Sequence, residues 1–252
     1  VTAAGYTALS RVYDRWQRSY GRDYSTLIFP LLQATFRRHG IIPGTLLDLA
    51  CGTGTLALRL AREGWTVSGV DASAGMLRAA RANAADAGLH AAFRRGDMRT
   101  FGIPARFSVI TCMFDSLNHL GSAAELRSAF RRVAAHLEPG GWFIFDVNAL
   151  RCFELLWTST QTIEHREFTL ILKASYDARR RTGAAFVTLF ERDGKCFRKS
   201  TEVVRERWFS TAEVRRALVS AGLVVVEHRG FNFTPLQDAG KVKEWWVARR
   251  PA

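Results

Sequence analysis

Short, mostly apolar runs alternate with helical periods through the first 150 residues, and this alternation constrains the fold more than any other feature. The runs Thr45–Cys51, Thr66–Asp71, His90–Gly96, Phe107–Phe114 and Trp142–Asn148 read as strands. Between them, Thr55–Glu63, Ala74–Ala87 and Ala123–Leu137 read as helices. Gly64, Gly88 and Pro139-Gly140-Gly141 close those helices as left-handed caps and breakers. Apolar strands separated by covering helices predict an α/β fold, a doubly wound Rossmann-like parallel sheet.

Two regions break the alternation. Residues 1–40 form an N-terminal helical extension, with helices expected at Ala8–Arg18 and Tyr24–His39. Residues 151–208 lean towards strands, in TIEHREFTLILKASYD, GAAFVTLFERDGK and CFRKSTEVVRERWF. Asp193-Gly194 is a two-residue hairpin signal and Arg181-Thr182-Gly183 a second turn. An antiparallel β insertion after the fifth strand follows. The core, 41–150, resumes at 209–252 with a helix (Thr211–Ala221), a strand (Leu223–Arg229) and a last strand near Glu244–Ala248.

Composition narrows the function classes. Four cysteines, at 51, 112, 152 and 196, make no CxxC pair, and the six histidines make no HxH or HxxxH spacing, so no protein-bound metal is expected. No apolar stretch approaches the roughly 18 to 20 residues that span a membrane. The first twenty residues lack the apolar core of a signal peptide, so a cytoplasmic protein is expected. The formal charge of +13 raises the question of a polyanionic partner, but the basic residues are scattered.

Residues 46–57, LLDLACGTGTLA, hold a glycine loop between a strand and a helix, a pattern shared by several nucleotide-binding folds. The second strand ends in Asp71, where a carboxylate can accept hydrogen bonds from both hydroxyls of a ribose. A nicotinamide dinucleotide and S-adenosylmethionine both satisfy these features. Three others favour S-adenosylmethionine. Asp48 would oppose a pyrophosphate but suits an ammonium or sulfonium. Gly96-Asp97-Met98 offers an acid to an adenine amine, and the sheet ends in antiparallel style rather than in a second mononucleotide half.

With LLDLACGTG, VSGVDASAGML, FRRGDMRTF, FSVITCMFDSLNHL and HLEPGGWFIFDVN in order, the chain resembles the class I S-adenosylmethionine-dependent methyltransferases over roughly residues 40–150 and from 208 onward. The resemblance implies that Ala50, Cys51, Gly52 and Gly54 pass along the methionine portion of the cofactor, with Asp48 near its ammonium. It gives the ribose to Asp71, the adenine faces to Ala72 and Met76, and the adenine edge to Asp97 and Met98, beside Gly96. Met113 and Phe114 would close over the cofactor, although core packing explains the three methionines equally well.

GDMRTF, CMFDSLNHL and the β-rich insertion resemble most the subgroup acting on small molecules, which includes aminosugar N-methyltransferases. There an N-terminal helix carrying tyrosines folds over the cofactor; Tyr6, Tyr13, Trp16 and Tyr24 are the candidates, Tyr13 foremost. His119 in DSLNHL is the expected base, with Asp115 and Asn118 orienting the loop or the acceptor, and Asp146 and Asn148 facing the same crevice. The expected activity is methyl transfer to N or O of a small polar molecule, yielding S-adenosylhomocysteine, by a monomer or homodimer whose insertion covers the acceptor or makes a dimer contact. The alternatives are a tRNA or rRNA methyltransferase, suggested by the charge, a nicotinamide-dependent oxidoreductase, and a cofactor-binding protein without turnover. MFDS, standing where Asn-Pro-Pro-Tyr would be, disfavours DNA adenine and protein glutamine acceptors.

Overall fold

The computed structural model describes residues 6–19, 23–232 and 240–252. A 3-10 turn (Leu9–Arg11) leads into α1 (Tyr13–Ser19) and α2 (Tyr24–His39). The core runs β1 (Thr45–Leu49), α3 (Thr55–Arg62), β2 (Thr66–Asp71), α4 (Ala74–Asp86), β3 (Ala92–Arg95), β4 (Phe107–Cys112), α5 (Ala123–His136) and β5 (Leu137–Asn148). After α6 (Leu150–Leu156) come β6 (Thr160–His165), β7 (Phe168–Asp177), β8 (Thr182–Asp193) and β9 (Cys196–Arg207). The chain finishes with α7 (Thr211–Ser220), β10 (Val224–Phe231) and β11 (Lys243–Arg249). Among the described residues no helix is long and apolar enough to cross a membrane.

The expected doubly wound sheet is present. Seven strands lie in the order β10-β11-β5-β4-β1-β2-β3, with β11 antiparallel to both of its neighbours and the other pairs parallel. Strand order reverses between β1 and β4, which opens a crevice beyond their carboxyl ends. Phe143, Phe145, Trp245 and Trp246 are fully buried on the paired strands β5 and β11. Burial of each large apolar side chain contributes roughly 1.5–3 kcal/mol. The insertion forms a separate antiparallel sheet in the order β6-β7-β8-β9. Leu9 and Val12 fill one face of it, packed with Phe168, Leu170, Val187, Leu189 and Val204.

Several expectations need correction. The single helix Ala8–Arg18 is a 3-10 turn followed by α1, broken at Val12 (φ −121°). The tighter turn brings residues three apart into line, so Leu9 and Val12 enter the insertion core together. The apolar segment beginning TIEH divides into β6 and β7 around a turn at Arg166-Glu167. Residues 150–156 are helical, with Cys152 and Phe153 buried. Pro139-Gly140-Gly141 lies within β5 because the C-terminal chain pairs beside it: Gly140 N–H donates to Pro251 O (3.3 Å) and Arg250 N–H to Gly141 O (2.8 Å).

Gly69, in β2, sits behind the glycine loop. A Cβ there would meet Phe93 Cδ1 at 2.6 Å and Cys51 Sγ at 2.8 Å. Gly69→Ala should therefore destabilise the protein by about 1–3 kcal/mol in urea unfolding. An unchanged midpoint would mean that Phe93 and Cys51 give way freely.

Candidate active site

The loop after β1 turns through left-handed backbone at Ala50 (φ 60°), Gly52 (φ 54°) and Gly54 (φ 78°). Gly52 has open space where a Cβ would stand, whereas at Gly54 the Cβ would lie 2.9 Å from Phe93 Cζ. Glycine supplies this conformation without steric cost. The carboxylate of Asp71, ending β2, ties the loop down: Gly52 N–H donates to Oδ2 (2.9 Å) and Ser73 N–H to Oδ1 (2.8 Å). Burial raises the Asp71 pKa, and these two amides oppose the rise. Ser73 also caps α4, accepting the Met76 N–H at 3.3 Å.

A cavity of about 670 Å³ occupies the crevice. Its cofactor-like half is walled by Ala50, Cys51, Gly52, Asp71, Ala72, Met76, Gly96, Asp97 and Met98. Arg99, which the sequence reading passed over, grips both oxygens of Asp97 (Nε to Oδ1 2.9 Å, Nη2 to Oδ2 2.5 Å) and holds its carboxyl below the usual range. The other half is walled by Tyr6, Tyr13, Tyr24, Phe114, His119 and the β9 stretch Thr201 to Arg205. Tyr6 and Tyr13 meet edge to face at 6.2 Å, and Tyr24 lies 4.4 Å from Phe114. Burial pushes all three phenols up, so they remain protonated.

His119 is fixed at both nitrogens. Nδ1 lies 3.0 Å from Arg205 O and Nε2 3.1 Å from the Tyr6 hydroxyl. A carbonyl can only accept, so Nδ1 carries a proton, and in the neutral ring Nε2 presents its lone pair to Tyr6. Asp14, next to Tyr13, was not singled out in sequence; its carboxylate accepts from Thr53 Oγ1 (2.6 Å) and Asn83 Nδ2 (2.9 Å), which fastens α1 to the glycine loop and α4.

Several expected site residues stand behind the wall rather than on it, Asn118, Asp146 and Asn148 among them. Gly54 caps α3, and Met113 is packed with Leu46 and Val109 in the core. Asp115 turns away from the cavity to pair with the buried Lys243 (2.5 Å). It and Phe114 adopt left-handed backbone (φ 53° and 63°), a conformation that costs roughly 1–2 kcal/mol per non-glycine residue. Asp48 is 3% exposed and accepts a hydrogen bond from Thr111 Oγ1 at 2.8 Å. Its pKa is pushed up to about 7 by burial, with the Thr111 hydroxyl opposing and Asp71 adding to the rise. Trp16 packs against the insertion core. Among the described residues no group of three or more His, Cys, Asp or Glu is arranged to hold a metal.

The fold, glycine loop and acidic strand ends define a nucleotide-cofactor enzyme, and comparison with known proteins says which kind. Residues 46–141 match a family model described as a methyltransferase domain. Over 138 residues the chain is 44% identical to dTDP-3-amino-3,6-dideoxy-alpha-D-glucopyranose N,N-dimethyltransferase of Streptomyces fradiae, a match covering 55% of this chain and 52% of that protein, about half its length. It is 31% identical over 217 residues to dTDP-3-amino-3,4,6-trideoxy-alpha-D-glucopyranose N,N-dimethyltransferase of Streptomyces venezuelae, covering 85% of this chain and 89% of that protein. The solved structure of Streptomyces venezuelae DesVI superposes with a TM-score of 0.77 at 27% identity, over 96% of this chain and 98% of that one. The chain belongs to the class I S-adenosylmethionine-dependent methyltransferases, among the small-molecule enzymes that include aminosugar N-methyltransferases. It is an enzyme, and its methyl donor is S-adenosylmethionine.

A carboxyl whose pKa rises on folding stabilises nothing above its folded value. For Asp48, stability present below the unfolded value near 3.8 is lost as pH rises to about 7, a cost on the order of 4 kcal/mol. Asp48→Asn should therefore raise the unfolding free energy of the cofactor-free protein at pH 8, and the gain should vanish towards pH 4. A gain independent of pH would reject this account.

Proposed function

We propose that the chain moves the methyl group of S-adenosylmethionine to the amino nitrogen of a small sugar-like acceptor. In this reading residues 1–40 are a lid, 41–150 and 209–252 hold the cofactor, and 151–208 cover the acceptor. The observation that carries it is the continuity of the cavity, in which the glycine loop and Asp71 share one space with Tyr6, Tyr13 and His119. Its volume, about 670 Å³, falls in the roughly 300–1,000 Å³ range of small-molecule sites.

The residues of the cofactor half fit the donor chemically. Asp48 is a buried carboxyl near neutrality whose ionised form a nearby cation would stabilise, as an ammonium or sulfonium would. Each oxygen of Asp71 accepts one backbone N–H, which leaves each a lone pair for one ribose hydroxyl. Ala72, Met76 and Met98 offer adenine an apolar slot, with Asp97 at its edge. Met113, buried beneath the loop, supports Phe114, which faces the cofactor.

The donor brings a methyl carbon already activated by its sulfonium, so alignment does most of the remaining work. Holding reactants in a near-attack geometry contributes roughly 7–11 kcal/mol. Tyr6 and Tyr13 wall the acceptor half, where they would shield the reacting groups from water. The lone pair on His119 Nε2, shared with Tyr6 in the free enzyme, orients an acceptor N–H and can take its proton after transfer. An amine needs no stronger base, and the N-methylating relatives favour nitrogen over oxygen. Those relatives are named for aminosugars carried on dTDP, which makes a nucleotide-linked aminosugar the first acceptor class to try; Arg18 and Arg205 on the wall suit a diphosphate. The nucleic-acid and nicotinamide alternatives find no support among the relatives. Four free thiols are in keeping with a reducing, cytoplasmic setting.

Two experiments test this. Asp71→Ala should weaken S-adenosylmethionine binding about tenfold or more in titration calorimetry, and unchanged affinity would reject the ribose assignment. With a panel of nucleotide-linked aminosugars and radiolabelled donor, His119→Ala should lose at least about tenfold in turnover while cofactor affinity holds. Transfer to hydroxyls or RNA in place of amines would overturn the acceptor reading.

A further inference from the structure

Beside the cavity, and not lining it, lies a buried charged network reached from four parts of the fold. Lys243, at the start of β11 and 1% exposed, donates to Asp115 Oδ1 (2.5 Å) and Asp146 Oδ1 (3.2 Å). Asp146, fully buried on β5, receives the backbone N–H of Asp115 on Oδ1 (2.6 Å) and that of Phe114 on Oδ2 (3.2 Å). Those are the two residues held in left-handed backbone. The Tyr24 hydroxyl also reaches Asp146 Oδ2 (3.3 Å). At the far end of the turn, Asn118 accepts the Asn148 N–H and donates to Arg207 O, both at 2.8 Å. Glu206 of β9, also buried, accepts from Asn148 Nδ2 (2.8 Å).

Lys243 faces Asp115 and draws its pKa down against burial, whereas burial and the Asp115 charge drive Glu206 up. The ammonium offsets the cost of burying the Asp146 charge, and the partly exposed Asp115 shares it.

We propose that Lys243 is a positioning residue for methyl transfer: through Asp115 and Asp146 it holds the turn 114–119 so that Phe114 faces the cofactor and His119 keeps a single tautomer towards the acceptor. The inference rests on the methyl-transfer reading for its kinetic consequence alone. Its structural consequence is independent of any acceptor.

The test uses the full chain with S-adenosylhomocysteine bound. In nitrogen-15 spectra the wild-type His119 imidazole should show one tautomer, protonated at Nδ1, and Lys243→Met should show exchange between tautomers. With an amine acceptor, Lys243→Met should lose at least tenfold in kcat while the S-adenosylmethionine Kd stays within about threefold. Wild-type turnover and a fixed tautomer in this variant would overturn the proposal. Asp146→Asn, which preserves volume but can accept at one oxygen only, covers the case in which Lys243→Met does not fold. With S-adenosylhomocysteine bound it should likewise show exchange between His119 tautomers, and a fixed tautomer in it would overturn the proposal.

Discussion

Where strand order reverses in a parallel sheet, the flanking connections leave towards opposite faces and cannot close over the strand ends. That constraint, falling between β1 and β4, creates the crevice on which everything else depends. The loops after β1, β2 and β3 wall one side of it and the turn after β4 walls the other. One carboxylate, Asp71, joins the first two loops through the amides of Gly52 and Ser73. The group proposed to hold the ribose is thus also a structural tie of the site.

The site is built at a cost in stability. Asp48, Asp146 and Glu206 are buried carboxyl groups with raised pKa values, and Phe114 and Asp115 hold unfavourable backbone. Lys243 offsets part of this by neutralising charge in the interior. A buried ion pair is weak evidence of stabilisation, because desolvation opposes the attraction. Its geometry, with Lys243 joining Asp115 of the turn to the Asp146 that holds the turn's backbone, is better explained by what the turn presents to the cavity.

The N-terminal segment joins the two sheets. Asp14 binds it to Thr53 and Asn83 on the core, while the backbone N–H groups of Ala8 and Leu9 donate to Glu202 of β9 at 2.9 and 3.0 Å. Arg11 pairs with Glu191 and Arg15 with Glu167. Both ion pairs are partly exposed, and such pairs contribute about 0–1 kcal/mol each. The apolar burial of Leu9 and Val12 is the stronger fastening. Tyr6 and Tyr13 therefore come to the cavity on a segment that touches the glycine-loop side and the β9 side at once.

Much of the core was legible because its signals are local. Alternating apolar runs, glycine caps and turn residues act within a few positions of the chain, so β1 to β4 and α2 to α5 fall within a few residues of their expected bounds, while β5 begins early, at Leu137. Of the residues found around the cavity, Gly52, Asp71, Asp97 and Met98 follow from strand ends in the same way, whereas Ala50, Ala72 and Met76 came from the family resemblance. Contacts far apart in sequence left no such mark. Arg99 could have been read two places after Asp97, but Asp115 on Lys243 spans 128 positions and Tyr6 on His119 spans 113. The 3-10 turn at Leu9 likewise depends on the insertion face it fills. By itself, then, the sequence determined the order of strands and helices, the glycine loop and the acids at the strand ends, since each depends on neighbouring residues. The tertiary structure alone decided which carboxyl groups face the cavity, which proton His119 carries and what the lone lysine of β11 holds, because each of those depends on the partner that folding brings alongside.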